Sequence, residues 1–309
     1  MASLTVSPSI DQGALLNFQD SFYALAQQTQ SKLVASKAIR FAASKGKTTN
    51  QARIGRLELV EVSTRNPDKQ FSDYNLDNRQ FTKRRFTLTV QIDAKYDINE
   101  LIKDPTSDIL AQLNNAKERV IDRIAISAAT GSVLVGAPEV APTTISAATD
   151  GVLTISATSG FVYTTVQAIT ENYINNDVPY DVFSGAMICV TGKENASLMG
   201  EVEFINSLYI TGKPVEKGVQ QSVGTYGVHL FAGSINGGVQ VPNPILPEAS
   251  TTRSCVVLAP DSILMAMELA DMSVEKSHSK VNSWDLTIDF WINAMRLEGV
   301  KVQIVTTTM

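Results

Sequence analysis

The sequence predicts an α+β fold, and three observations carry that prediction. One long helix is written between clear start and stop signals at residues 103–131, strict apolar/polar alternation recurs far apart at 86–92 and 286–292, and strands and helices mix between 182 and 260. Alternation with period two sorts side chains onto the two faces of a strand, whereas spacings of three and four gather them on one helix face.

Composition sets the frame. With 309 residues and 44% apolar side chains, the chain has material for two or three ordinary domains, or for one extended unit with excursions. Charged residues make up 18% and aromatics 7%, while small residues dominate, a mix suited to closely packed strands and flat contacts. A net charge of −5 gives no general attraction for nucleic acid, whose binding depends on phosphate neutralisation.

Taken in order, Leu15, Phe18, Phe22, Leu25 and Leu33 recur at helical spacing and predict an amphipathic helix over 14–34. It packs either on its own domain or as an arm on a neighbouring chain, and both readings stand at this stage. Next come two strand-like runs, 53–62 (RIGRLELVEV) and 86–92 (FTLTVQI), the second setting Phe86, Leu88, Val90 and Ile92 against Thr87, Thr89 and Gln91. The polar stretch 63–85 between them far exceeds the roughly 2–5 residues of a hairpin turn. From Arg53 to Lys103 there are ten Lys or Arg and eight Asp or Glu, so the region reads as a mixed-sign, two-stranded finger suited to salt-bridged contact with another protein surface. Arg53, Arg56, Lys83, Arg84 and Arg85 flank its base and Asp68, Asp73 and Asp77 lie toward its tip; these eight are the candidate intersubunit contacts.

The long helix has a cap in Asp104, a first-turn proline in Pro105, an acid at the positive end of the dipole in Asp108, and a left-handed stop in Gly131. Ile109, Leu113, Ala116, Val120, Ile124 and Ala128 line one face. At about 25 residues and roughly 37 Å it is twice the usual length, a strut in a larger architecture. No Lys or Arg occurs between Arg123 and Lys193. The run 142–160 predicts a hairpin with Asp150 and Gly151 at the turn, and a second helix spans Tyr163 to Asn175 ahead of Pro179. From 182 to 260 short strands (AMICV, VHLFAG, GVQVP, CVVLAP) and a helix at 194–202 predict a separate α+β lobe, after which DLTIDFWI and GVKVQIV return as strands.

Catalytic signatures are weak. His229 and His278 are the only histidines, and neither stands near a carboxylate at metal or triad spacing. Thr191, Gly192 and Lys193 hint at a phosphate loop, but Met187 and Glu194 stand where that motif needs Gly and Ser or Thr. Cys189 and Cys255 lie in apolar runs and read as small buried hydrophobes rather than a disulfide framework. No basic, cleavable leader and no apolar run approaching ~20 residues is present, which points to a cytosol-like compartment and no membrane. No catalytic, cofactor-binding or metal-ligating residue is assigned, and an enzyme is disfavoured.

The segments QQTQSKL (27–33), TKRRFTLT (82–89), DPTSDILAQLNNAKERVIDRIAISAATG (104–131), NNDVPYD (175–181) and AMRLEGVKVQIV (294–305) occur in an order that resembles the HK97-like major capsid proteins of tailed, podovirus-like bacteriophages. That resemblance implies an N-terminal arm (1–50), an extended E-loop (51–100) and a peripheral P-domain (101–181) with its spine helix at about 104–130. It further implies an axial A-domain (182–260) and a return to the P-domain (261–309). Such a protein is made in the host cytoplasm and assembles with itself, as hexamers and pentamers, into an icosahedral virion shell. The shell encloses double-stranded DNA contacted without sequence preference. The capsid-like pattern begins within the first 30 residues, so the resemblance also implies a separate scaffolding protein, a portal, and no maturation cleavage. An encapsulin-like compartment on the same fold is the alternative; a monomeric carbohydrate-binding or hydrolytic α+β protein is a third reading.

Overall fold

The computed structural model describes residues 27–42, 46–65, 68–69, 71, 74, 76–93, 106–136, 141–158, 160–201, 222–231, 235–236, 239–240, 245–249, 251–268, 271–278, 280 and 282–308. Most of the helix expected over 14–34, and the capping residues Asp104 and Pro105, lie outside them. In chain order the elements begin with α1 (Lys32–Ala35), β1 (Ile39–Phe41), β2 (Thr48–Ile54), β3 (Leu76–Thr82), β4 (Arg84–Asp93), α2 (Thr106–Thr130), β5 (Val133–Val135), β6 (Thr143–Ile145) and β7 (Leu153–Ala157). There follow α3 (Tyr163–Asn175), α4 (Tyr180–Phe183), β8 (Met187–Val190), α5 (Gly192–Met199), β9 (Ser222–Val223), β10 (Tyr226–Leu230), β11 (Ile235–Asn236) and β12 (Val239–Gln240). The chain closes with β13 (Thr252–Leu258), β14 (Ile263–Met267), β15 (Asp271–Lys276), β16 (Ser283–Arg296), a 3-10 turn at Gly299–Lys301, and β17 (Val302–Thr308).

The 25-residue α2 packs on a five-stranded sheet of order β1-β14-β16-β15, with β4 also paired to β16. Strand β16 buries Leu286, Ile288, Phe290 and Ile292 on one face, as its alternation requires. The helix stripe is broader than predicted. Leu113, Ile121, Ala125, Ile126 and Ala129 are buried, while Ile109, Val120, Ile124 and Ala128 pack only partly against the same core. The extra coverage comes from the segment 27–35, which lies along α2 and draws the carboxylate of Asp122 fully inside. Asp122 accepts from Ser31 Oγ at 2.5 Å and from the first backbone N–H groups of α1, those of Lys32 and Leu33, at 3.1 and 3.2 Å. Those orphan donors would otherwise be unsatisfied.

A six-stranded sheet of order β7-β17-β13-β8-β10-β9 forms the second core, where β8 and β13 are buried on both faces. Cys189 and Cys255 sit in them as free, buried thiols whose pKa values burial pushes up. The stretch 182–260 therefore does not make this sheet alone, since β7 and β17 complete it, while β11 and β12 within that stretch pair as a two-stranded sheet of their own.

Three local expectations are corrected. The strand predicted over 53–62 ends at Ile54, and the run 86–92 belongs to β4, paired along β16 and not within the finger. The finger is built from β2 and β3, in register from Thr48↔Thr82 to Ile54↔Leu76. β2 and β3 carry mostly polar side chains, so their pairing has no apolar signature to read. The predicted hairpin at 142–160 also dissolves: β6 pairs with β5 and β7 with β17, in different sheets. The helix expected over 194–202 is α5, which starts at Gly192, with the Glu194 carboxylate accepting from the Thr191 N–H at 3.1 Å. Among the described residues no helix is long and apolar enough to cross a membrane.

Candidate intersubunit contact surface

Most of the charges singled out along the finger are bound within the chain. Arg53 and Asp77 face each other across the β2–β3 register and form an ion pair, and Arg53 Nη1 also donates to the Leu297 carbonyl at 3.3 Å. Arg56 meets Asp177, after α3, at 3.0 Å, and both are exposed. Lys83, between β3 and β4, is almost fully buried with Glu268 at 3.7 Å. Arg85 holds the Asp289 carboxylate with its Nε at 2.9 and 3.0 Å, which keeps that carboxyl below the usual range. Arg84 and Asp68 are exposed, and Asp73 lies outside the described residues. Four of the five cations thus have a carboxylate partner within the chain, Arg53 and Arg85 across neighbouring strands and Arg56 and Lys83 on more remote segments.

Beside charged side chains such as Arg56, Glu58 and Asp68, the finger exposes apolar ones. Ile54, Leu57, Leu59, Val60, Phe71 and Tyr74 are between 61% and 103% accessible, six large hydrophobic side chains within about twenty residues of chain. Isolated exposed apolar residues are ordinary, but a run of them on one projection marks an interaction surface.

The base of the finger holds the most unusual chemistry. Arg79 of β3 and Arg296 at the end of β16 are 1% and 0% accessible, and both grip Asp150. Arg79 Nη1 donates to Asp150 Oδ2 at 2.9 Å and to the Arg296 carbonyl at 2.8 Å, and its Nη2 bonds Oδ1. Arg296 Nε donates to the same Oδ2 at 2.8 Å, while its Nη1 reaches the Ala129 and Gly131 carbonyls at 2.7 and 3.0 Å. Helix α2 has no cation in its own last turn, so Arg296 supplies both the charge and the donors its C-terminal end needs. Burial opposes the charge on Asp150, yet the two guanidinium groups prevail and hold its pKa below the ordinary value. The Asp150 carbonyl leaves no room either: a Cβ at Gly299 would stand 1.9 Å from it.

A second buried network lies where β8, β13 and β17 of the six-stranded sheet end side by side. Arg253 donates from Nε to Glu248 at 2.6 Å and from Nη1 to Glu194 at 2.9 Å and to Thr191 Oγ1 at 2.7 Å. Thr307 Oγ1 donates to Glu194 at 3.2 Å. Burial raises the Glu194 pKa, but the Thr191 hydroxyl that donates to the carboxylate and the Arg253 charge outweigh it and lower the value. Neither network was found by sequence reasoning, which took Asp150 for a turn residue and Glu194 for a helix acid. His229 is half-buried, its pKa lowered by burial and by Lys32. No group of three or more metal-binding side chains occurs among the described residues.

The phage capsid protein family model matches residues 10–308, and the chain belongs to that family. It is a major capsid protein, a self-assembling subunit of a phage shell with a structural role in the virion. No curated protein matches the sequence. Among solved structures, the capsid of Helicobacter pylori bacteriophage KHP30 is similar at 11% identity and a TM-score of 0.69, over 100% of this chain and 99% of that one. The head of Helicobacter pylori bacteriophage KHP40 is similar at 10% identity and a TM-score of 0.68, over 99% and 98%. The capsid of Ralstonia phage GP4 is similar at 11% identity and 0.65, over 99% and 98%. At such identities the likeness concerns the fold.

Proposed function

We propose that the subunit is an HK97-like tile of an icosahedral shell of hexamers and pentamers around double-stranded DNA. In this reading α2 is the spine helix of the P-domain, the projection on β2 and β3 is the E-loop, and the six-stranded sheet centres the A-domain. A separate scaffolding protein and a portal complete the assembly, and synthesis takes place in the host cytoplasm. Contact with DNA is without sequence preference, as suits a net charge of −5 and the cation-free stretch 124–192.

The observation that carries the reading is the apolar row on the finger, which a monomer leaves in water and a lattice of identical copies buries. Of the charges named above, Arg84, Asp68 and Asp73 remain as intersubunit contacts, adding register more than affinity. Replacing Leu59 and Phe71 by Ser is expected to leave circular dichroism and subunit stability within about 0.5 kcal/mol of the parent, because neither side chain is covered in the subunit. Sedimentation should show shells replaced by free subunits or capsomers. Normal shell yield from that double variant would remove the finger from the contact.

A further inference from the structure

We propose that Asp150, clasped between Arg79 and Arg296, is a latch that fixes the angle of the finger to the body, and that neutralising it frees the finger as a unit while both large sheets stay folded. Strands β2 and β3 pair with each other over seven residues, but only Arg79 and Gln80 pair with the body strand β5. The finger's backbone attachment through strand pairing is therefore narrow. Side-chain attachments do the rest: Arg79 on Asp150 and on the Arg296 carbonyl, Arg53 on the Leu297 carbonyl, Asn293 on the Thr82 carbonyl, Lys83 on Glu268, and Phe81 in an apolar cluster with Leu264, Ala266 and Met295. Of these only the Arg79 clasp is a fully buried ion network.

Chemistry makes this joint all-or-none. A guanidinium cannot shed its proton at accessible pH, so two buried arginines stripped of their shared carboxylate have no means of becoming neutral. Arg79 Nε and Arg296 Nη2 already have no hydrogen-bond acceptor. Relief has to come by movement. A solvent-open cleft of about 520 Å³, lined by Arg53, Arg56, Asp77, Asp150 and Glu298, adjoins the joint and gives the Arg79 side an exit to water. The charged groups facing Asp150 are Arg79 and Asp77 from β3, Arg53 from β2, and Arg296 and Glu298 from the end of β16 and the turn after it. The latch stands whether or not the finger touches a neighbour.

Because its folded pKa is depressed, Asp150 contributes stability that is complete above the unfolded value of about 3.9 and is lost as pH falls through the folded one. Hydrogen exchange on the full-length subunit tests the proposal. Asp150→Asn should accelerate exchange of amides 48–54 and 76–82 by about tenfold or more, with amides of β13, β16 and β17 within about twofold of the parent. Wild-type protein brought from neutrality to below about pH 3.5, with intrinsic rates corrected, should open in the same order, and this arm needs no folded variant. Equal acceleration of finger and sheets in both arms would make the cluster an ordinary structural contact and overturn the proposal. Unchanged finger exchange in both arms would do so as well.

Discussion

The two buried ion networks are near opposites. At the finger base two arginines share one carboxylate, an excess of positive charge; at the strand ends of the six-stranded sheet two carboxylates share Arg253, an excess of negative charge. The first joins β3, the turn before β7, the end of β16 and the C-terminus of α2, whereas the second lies between α5, β13, β17 and the segment just before β13. Carboxylates left without a cation can take up protons and become neutral, but guanidinium groups cannot release theirs. Failure in the negative network is thus softened by titration, while failure in the positive one must be structural. The stiffer chemistry stands where the projecting finger meets the body.

The largest expected effect separates the two directly. Asp150→Asn should quicken exchange in the finger strands by about tenfold or more, equally at pH 5 and pH 8, and leave the global urea transition close to the parent's. Arg253→Met should instead cost about 1–3 kcal/mol in urea unfolding near pH 5, because Glu194 then holds a proton in the folded state. Its folded pKa becomes raised, so that variant should weaken further as pH rises. A pH-independent Arg253→Met, or an Asp150→Asn that recovers in alkali, would erase the distinction.

Gly299→Ala attacks the positive network through its backbone. With the new Cβ 1.9 Å from the Asp150 carbonyl, the turn carrying that carboxylate has to shift, at a cost of about 1–3 kcal/mol in thermal or urea unfolding. The shift should appear as faster exchange in the finger strands before any change in β8 or β10. The smallest effect belongs to the exposed pair. Arg85→Ala removes a bidentate contact to Asp289 on the solvent face of the sheet, and its melting temperature should be indistinguishable from the parent's at physiological salt. A clear drop would show that exposed and buried pairs at this sheet are not as different as their burial implies.

The elements that were legible in the sequence are those whose signal is local. The repeat of apolar side chains along α2, the alternation of β4 and of residues 286–290 in β16, the body of α3, and the burial of Cys189 and Cys255 all follow from periodicity or composition within a few turns of chain. Tertiary structure alone decided that β4 leaves the finger to lie along β16, that β2 takes β3 as its partner, and that Asp122 is buried under the segment 27–35. It also decided that the turn residue Asp150 is a joint. The physical reason is distance along the chain. Asp150 meets Arg79 across 71 residues and Arg296 across 146, and a charge carries no periodicity that announces a partner so remote. Hydrophobic burial is non-directional and can be inferred from one strand at a time, whereas a buried ion pair exists only once every sheet and turn around it has been placed.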